Sequence, residues 1–190
     1  MANSLIEFYE SLDVAVNELY EVHPWMPCRS CPVIGKEENC CNYALFLVTK
    51  TEWERMKLSP FIIKNRKRLK NDARETIKSL QNAGYDTTDW GATVKRFGDS
   101  HNPIKFRCPL LSGDGWCEIY RDRPAVCRMY GVTFQADQTA YGCSIVAETV
   151  DEKLAEGVGV KKHDLKPMLD HMITFVKGPA KPIVAWLTEL

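Results

Sequence analysis

The sequence lacks several features that would place it at once in a functional class. Neither positive nor negative charge is in excess, because 25 lysines and arginines balance 25 aspartates and glutamates. A chain built mainly to neutralise phosphates would be strongly basic. No apolar run approaches the roughly 20 residues that a membrane-spanning helix needs. Glycine-rich phosphate loops, nucleophile elbows and His-Glu-x-x-His motifs are also absent, which argues against the enzyme classes that depend on them.

The N-terminal residues carry no pattern typical of a targeting signal. The segment 1–7 has no basic region before an apolar run, so we expect neither a secretory signal nor a transit peptide, and we expect a cytoplasmic protein. Cytoplasmic thiols are kept reduced, and clustered reduced cysteines are more often metal ligands or redox catalysts than structural disulfides. A length of 190 residues, 45% of them hydrophobic and 26% charged, predicts a single globular domain over residues 1–190.

Hydrophobic periodicity predicts a mainly α-helical fold with a few short strands, a small α+β domain. The longest predicted helices cover residues 4–21, 59–83 and 164–177, each opened by a capping residue. A helix from 144 to 156 is expected to end at Gly157.

Shorter elements are predicted between these helices. A strand is predicted within residues 43–49, and Thr51 with Glu54 has the spacing of a capping box that would open a short helix. One or two helical turns are expected between residues 122 and 130. Residues 84–103, with their glycines, are expected to form an irregular connector.

Cysteine is the residue that carries the chemistry of this sequence, with eight copies in 190 residues. All eight lie in two irregular segments that contain prolines and glycines, while the flanking helices contain none. They are Cys28, Cys31, Cys40 and Cys41 in the first segment, and Cys108, Cys117, Cys127 and Cys143 in the second. Long irregular loops need something to fix them, and a bound metal contributes folding free energy directly. The loops are therefore expected to be organised around a metal centre.

The cysteine spacing favours metal ligation over redox catalysis. Cys28 and Cys31 are separated by two residues, a spacing that presents two thiolates to one tetrahedral ion. A redox use of this pair is disfavoured, because no strand precedes it and Pro32 follows it. The adjacent Cys40 and Cys41 suit two nearby ions or a cluster better than one ion. Eight thiolates fit two zinc ions, or one iron–sulfur cluster with four cysteines left over.

Positive side chains accompany the cysteines. Four thiolates on a divalent ion leave a net charge near −2, which nearby cations make tolerable. The arginines near the cysteines are Arg29, Arg107, Arg121, Arg123 and Arg128, and the alternative is that they are exposed or paired with carboxylates. His23 and His101 precede the two segments and are candidates to replace a cysteine ligand.

The cysteine segments also resemble those of a known family. The second runs Cys108-Pro109-Leu110-Leu111, then Cys117-Glu118-Ile119-Tyr120, then Arg123-Pro124-Ala125-Val126-Cys127-Arg128-Met129-Tyr130. Together with the first segment, it is similar over roughly residues 28–131 to the YkgJ-type cysteine-cluster family, to which zinc or iron chelation is attributed. The resemblance implies metal ligation by Cys28, Cys31, Cys40, Cys41, Cys108, Cys117 and Cys127, with Cys143 as an eighth ligand. The metal-binding region would span about residues 23–143.

Three functions are open at this point. The first is a metal-binding protein whose zinc (one or two ions), iron or iron–sulfur centre organises the fold. The second is an iron or iron–sulfur dependent enzyme related to protein lysine methylases, because the related flagellin lysine methylases use a similar cysteine cluster; the resemblance by itself does not transfer that activity. The third is a nucleic-acid or protein interaction module that uses the basic helix 64–78. Nucleic acid is disfavoured, because no aromatic residues interleave with that basic run. No membrane partner is expected.

Overall fold

The computed structural model describes residues 4–24, 31, 40–42, 45–98, 105–130, 144–159 and 178–190. The chain divides into two compact units, one built from residues 1–32 and 125–175 and the other from residues 33–124 and 176–190. The described residues are mainly helical with one small sheet, which confirms the predicted fold class. No described helix is both long enough and apolar enough to cross a membrane. The helix predicted over 164–177 lies outside the described residues.

The first unit contains the N-terminal helix α1 (Leu5–Val22) and two later helices, α5 (Ala125–Met129) and α6 (Ser144–Ala155). The Ser4 hydroxyl accepts a hydrogen bond from the Glu7 backbone N–H at 3.2 Å, so α1 begins where its capping residue predicts. The apolar stripe of α1 is buried, and α1 packs against α5. Helix α6 ends before Gly157, whose φ of +76° suits glycine.

The second unit contains two strands and four α-helices among its described residues. They are β1 (Leu47–Thr49), α2 (Lys50–Met56), α3 (Pro60–Asn82), α4 (Trp90–Gly98), β2 (Ala180–Pro182) and α7 (Ile183–Leu187). Two 3-10 turns, Cys40–Asn42 and Tyr120–Asp122, belong to the same unit. One face of α3 forms part of the core, because Ile62, Leu69, Ala73 and Leu80 are buried and Ile77 is partly buried.

The C-terminal residues complete the second unit. Strand β2 pairs with β1 in antiparallel fashion, with Leu47 opposite Pro182. The buried Trp186 indole N–H donates to the Val48 carbonyl at 2.7 Å, and its ring stacks on Trp53 with centroids 6.2 Å apart. Helix α7 also packs against α3. The short sheet and α7 therefore hold the C-terminal segment against the longest helix.

An aromatic core lies beneath the segment that leads to Cys108. Phe97 of α4 packs between Tyr85 and Phe106, with ring centroids 5.8 and 5.9 Å away. Leu80 and Val184 are buried in the same cluster. The core thus fixes residue 106, two positions before the first cysteine of the second segment.

Two local predictions are wrong. The capping box of α2 is formed by Thr49 and Glu52, two residues earlier than predicted, and its two backbone hydrogen bonds measure 3.1 and 3.3 Å. The expected connector over 84–103 contains α4, because the Asp89 carboxylate accepts the Ala92 N–H at 3.0 Å and so caps a helix. Gly91 lies inside that helix and does not interrupt it.

Candidate metal centre

Backbone hydrogen bonds bring two distant cysteine segments together in the second unit. The Cys108 N–H donates to the Cys41 carbonyl at 3.0 Å, and the Phe106 N–H donates to the Asn42 carbonyl at 2.9 Å. Residues 41–42 and 106–108 therefore run alongside each other in antiparallel directions. The bonds place Cys41 beside Cys108, although more than 60 residues separate them in the sequence.

A tight hairpin then returns the chain from Cys108 to Cys117. Leu111 forms an antiparallel bridge with Cys117, and its N–H donates to the Cys108 carbonyl at 3.1 Å. The Ser112 N–H donates to the Trp116 carbonyl at 2.8 Å across the hairpin. Gly115 has a φ of +84°, which a side chain would disfavour at this turn. The hairpin thus brings Cys117 opposite Leu111, three residues after Cys108.

The Cys117 thiol lies in a mixed electrostatic environment. It is half-buried, and burial raises its pKa, while a hydrogen bond from the Ile119 backbone N–H and the positive charge of Arg123 act to lower it. A thiol whose pKa is raised is a poor nucleophile at neutral pH. A bound metal ion would displace its proton, because metals bind the thiolate form. The raised pKa therefore argues against a redox-active thiol at this position.

Arginines next to this hairpin hold backbone carbonyl groups. The Arg107 guanidinium donates to the carbonyls of Ser112 and Gly113. Arg123 donates from Nε to the Tyr120 carbonyl at 3.0 Å and lies over the Tyr120 ring, 3.6 Å from its centroid. These contacts fix the loops on either side of Cys117.

Cys127 belongs to the first unit, where α5 carries it. Pro124 precedes α5, as the sequence predicts, and Cys127 is half-buried within it. The next residue, Arg128, is buried; its guanidinium forms an ion pair with Asp13 and lies 4.7 Å from the centroid of the Tyr9 ring. Both partners belong to α1, so α1 anchors the helix that bears Cys127.

The partners of Arg128 are functional candidates that the sequence analysis missed. Neither Tyr9 nor Asp13 belongs to a motif or to a spacing pattern in the sequence. No local spacing signal relates either residue to a position more than 100 residues away. Arg128 itself is one of the five arginines that lie near the cysteines in the sequence. Its ion pair with Asp13 corresponds to the expectation that such arginines pair with carboxylates.

The remaining predicted ligands are described only in part. Cys31 is described and half-buried in the first unit, while Cys28 and Cys143 lie outside the described residues. Of Cys40, the structure describes the backbone, in the 3-10 turn. His23 is buried at the end of α1, and His101 and Arg29 lie outside the described residues. Within the described ranges, no three Cys, His, Asp or Glu side chains form a group that could hold a metal ion.

The donor set nevertheless fits zinc or iron chemically. Cysteine thiolates are soft ligands, which select zinc and iron–sulfur centres over magnesium or calcium. Residues 27–145 match the family model CxxCxxCC, described as "Putative zinc- or iron-chelating domain". No curated protein and no solved structure gives a significant match to the chain. The matched range includes the segment, roughly residues 28–131, over which the chain resembles the YkgJ-type cysteine-cluster family, so that resemblance is confirmed.

Proposed function

The chain belongs to the CxxCxxCC family of zinc- or iron-chelating domains, and on that premise we propose that its cysteines form a closed thiolate centre whose metal holds the cysteine segments together. The observation that carries the proposal is the backbone hydrogen bond of 3.0 Å from Cys108 to Cys41. This bond is made by backbone groups, and it joins the first cysteine segment to the second within the second unit.

The proposed ligands are the eight cysteines of the pattern. They are Cys28, Cys31, Cys40, Cys41, Cys108, Cys117, Cys127 and Cys143. Eight thiolates are enough for two four-coordinate zinc ions, or for one iron–sulfur cluster with four cysteines left over. When bound, the metal supplies cross-links between loops and so contributes folding free energy.

A structural role follows from the composition of the donor set. An ion with four protein thiolates has no open coordination position, so it does not activate water or polarise a substrate. The protein's own residues then have the task of presenting thiolates in the right places. The backbone bonds of the hairpin between Cys108 and Cys117 support this role, and Arg107 holds the turn of that hairpin through two carbonyls.

The proposal is tested by comparing two variants of the same hairpin. Cys117→Ser removes one proposed ligand, and we expect it to lose bound metal and to unfold at lower temperature. Ser112→Ala is the matched control. It removes only the hydroxyl that accepts the Trp116 N–H at 3.1 Å, so it should cost about 1 kcal/mol and keep the full metal content.

Elemental analysis and absorption spectra of both variants, purified without oxygen, provide the measurement. Zinc in the wild-type protein and the control, with loss in Cys117→Ser, supports the closed structural centre. Full metal content in Cys117→Ser would contradict its assignment as a ligand. Iron with labile sulfide and catalytic turnover would contradict the structural role and favour the iron-dependent enzyme alternative.

A further inference from the structure

Charge is separated within this neutral chain. The residues of the first unit carry 12 acids and 6 bases, while those of the second carry 13 acids and 19 bases. Two helices account for most of the difference. Helix α1 contains five acids and no base, and α3 contains seven bases and two acids.

The acids of α1 form one exposed face. Glu7, Glu10, Glu18 and Glu21 are exposed and recur at helical spacing, opposite the buried stripe of the helix. The exposed Val14 lies in the middle of this row. Its first and last glutamates are 14 positions apart, or about 21 Å along the helix axis. We call it the acidic face.

The bases of α3 form a face of the same length. Its exposed bases are Lys64, Lys67, Arg74 and Lys78. The first and last are again 14 positions apart, and the row lies opposite the buried stripe of α3. Ile63, 57% exposed, borders this basic face. The acids of α3 lie to one side of the row, where Asp72 pairs with Arg68 at 2.9 Å.

Each face is unfavourable for its own helix. Like charges three or four residues apart destabilise a helix, and both faces consist of such pairs. A partner helix of opposite charge and equal length would relieve the repulsion on both. The two faces match each other in sign, in length and in the presence of an exposed apolar residue.

We propose that the acidic face of α1 in one copy of this protein docks along the basic face of α3 in a second copy. The partner is therefore a second copy of this chain. The contact is heterologous, because two different faces meet in it. Two copies can form a dimer in which α1 of each copy contacts α3 of the other, or successive copies can form a longer row. Because the contact depends on exposed charges, it strengthens at low ionic strength, where screening is weaker and the attraction between charges extends over a longer distance.

Sedimentation velocity of the metal-loaded protein tests the proposal. Contacts made mostly of exposed ion pairs are weak, so about 100 µM protein is used, at ionic strengths of about 20 and 500 mM. We expect association at low salt, with a dissociation constant at least roughly tenfold higher at high salt. A monomer at low salt overturns the proposal.

Charge reversal identifies the two faces. Lys67→Glu with Arg74→Glu, and separately Glu10→Lys with Glu18→Lys, should each give monomers at low salt. The two variants mixed together should associate again, because each then carries a face complementary to the other. A mixture that stays monomeric overturns the proposal.

Two further comparisons complete the test. The first is a control that combines Lys50→Glu with Lys95→Glu, which changes the net charge as much as Lys67→Glu with Arg74→Glu but at exposed positions outside α3. This control should associate like the wild type. Loss of association in it would overturn the assignment to the basic face. A random-sequence DNA duplex is the second probe. A wild-type monomer that binds the duplex through Lys67 and Arg74 would show that nucleic acid occupies the basic face, and would overturn the proposal.

Discussion

The contact between Arg128 and α1 gives a quantitative prediction about the helix that bears Cys127. The Arg128 side chain is 5% exposed and its partner Asp13 is 50% exposed. A half-exposed ion pair is worth about 1 kcal/mol after solvent screening. The guanidinium also lies over the buried Tyr9 ring, and a desolvated cation–π contact contributes about 1–2 kcal/mol. Arg128→Met keeps an apolar chain of similar length, so we expect a loss of about 2–3 kcal/mol in the free energy of unfolding.

Arg68 provides a matched control on the surface. It pairs with Asp72 at 2.9 Å and lies 5.7 Å from the Phe61 ring centroid, so it makes the same two kinds of contact as Arg128. Both partners of its ion pair are more than 40% exposed. Arg68→Met should therefore cost less than about 1 kcal/mol.

Urea unfolding of both variants, followed by circular dichroism in one metal-saturated buffer, measures the difference. We also expect Arg128→Met to release its metal to a competing chelator faster than Arg68→Met, because α5 carries the proposed ligand Cys127. Arg128→Lys should recover part of the stability, since it keeps the charge but loses the planar fork. Equal costs for the two methionine variants would refute the reasoning from burial.

Three further predictions concern single contacts. Trp186→Phe leaves a buried carbonyl of β1 without its indole donor and should cost about 1–3 kcal/mol in urea unfolding; a cost below about 0.5 kcal/mol would contradict it. Gly115→Ala forces a side chain onto a backbone with positive φ and should cost about 1–2 kcal/mol, whereas Gly113→Ala, with no atom within 4 Å of its added Cβ, should be nearly neutral. The Thr88 hydroxyl, followed by the Thr88 N–H, lowers the pKa of the Asp86 carboxyl, so Thr88→Val should raise that pKa in an NMR titration. A carboxyl group whose pKa is lowered by folding stabilises the folded protein at pH values above the ordinary pKa of 3.8, and this contribution is lost as the pH falls through the folded-state pKa. The variant has less of this contribution to lose, so its stability should fall less in acid than that of the wild type. An unchanged Asp86 pKa in the variant would contradict the assigned cause.

The sequence predicts those helices whose caps and apolar stripes agree. Helix α1 follows Ser4, and the ends of α3 and α6 lie just before Gly84 and Gly157, as expected from C-terminal glycines. The sequence pattern does not predict α4, because its two glycines are typical helix breakers, although Asp89 supplies a cap. Helix α7 was missed for a different reason. It is a five-residue run, all buried, so it has no polar face and no periodicity to detect.

The candidate site was predictable in composition but not in assembly. Residue type and spacing identify the cysteines as candidate metal ligands, because both are local properties of the chain. The hydrogen bond between Cys108 and Cys41 is not local, and no cap, turn or periodicity encodes it. The same holds for Asp13 and Arg128, whose pairing depends on how α5 packs against α1.

X-ray absorption spectroscopy at the metal edge of the native protein, purified without oxygen, tests the central claim most directly. A closed thiolate centre predicts that sulfur dominates the first coordination shell, at about 2.3 Å for zinc. The same spectrum should change in Cys117→Ser, with sulfur replaced or the metal lost. A first shell of oxygen and nitrogen alone, or a protein that folds fully without bound metal, would contradict the account.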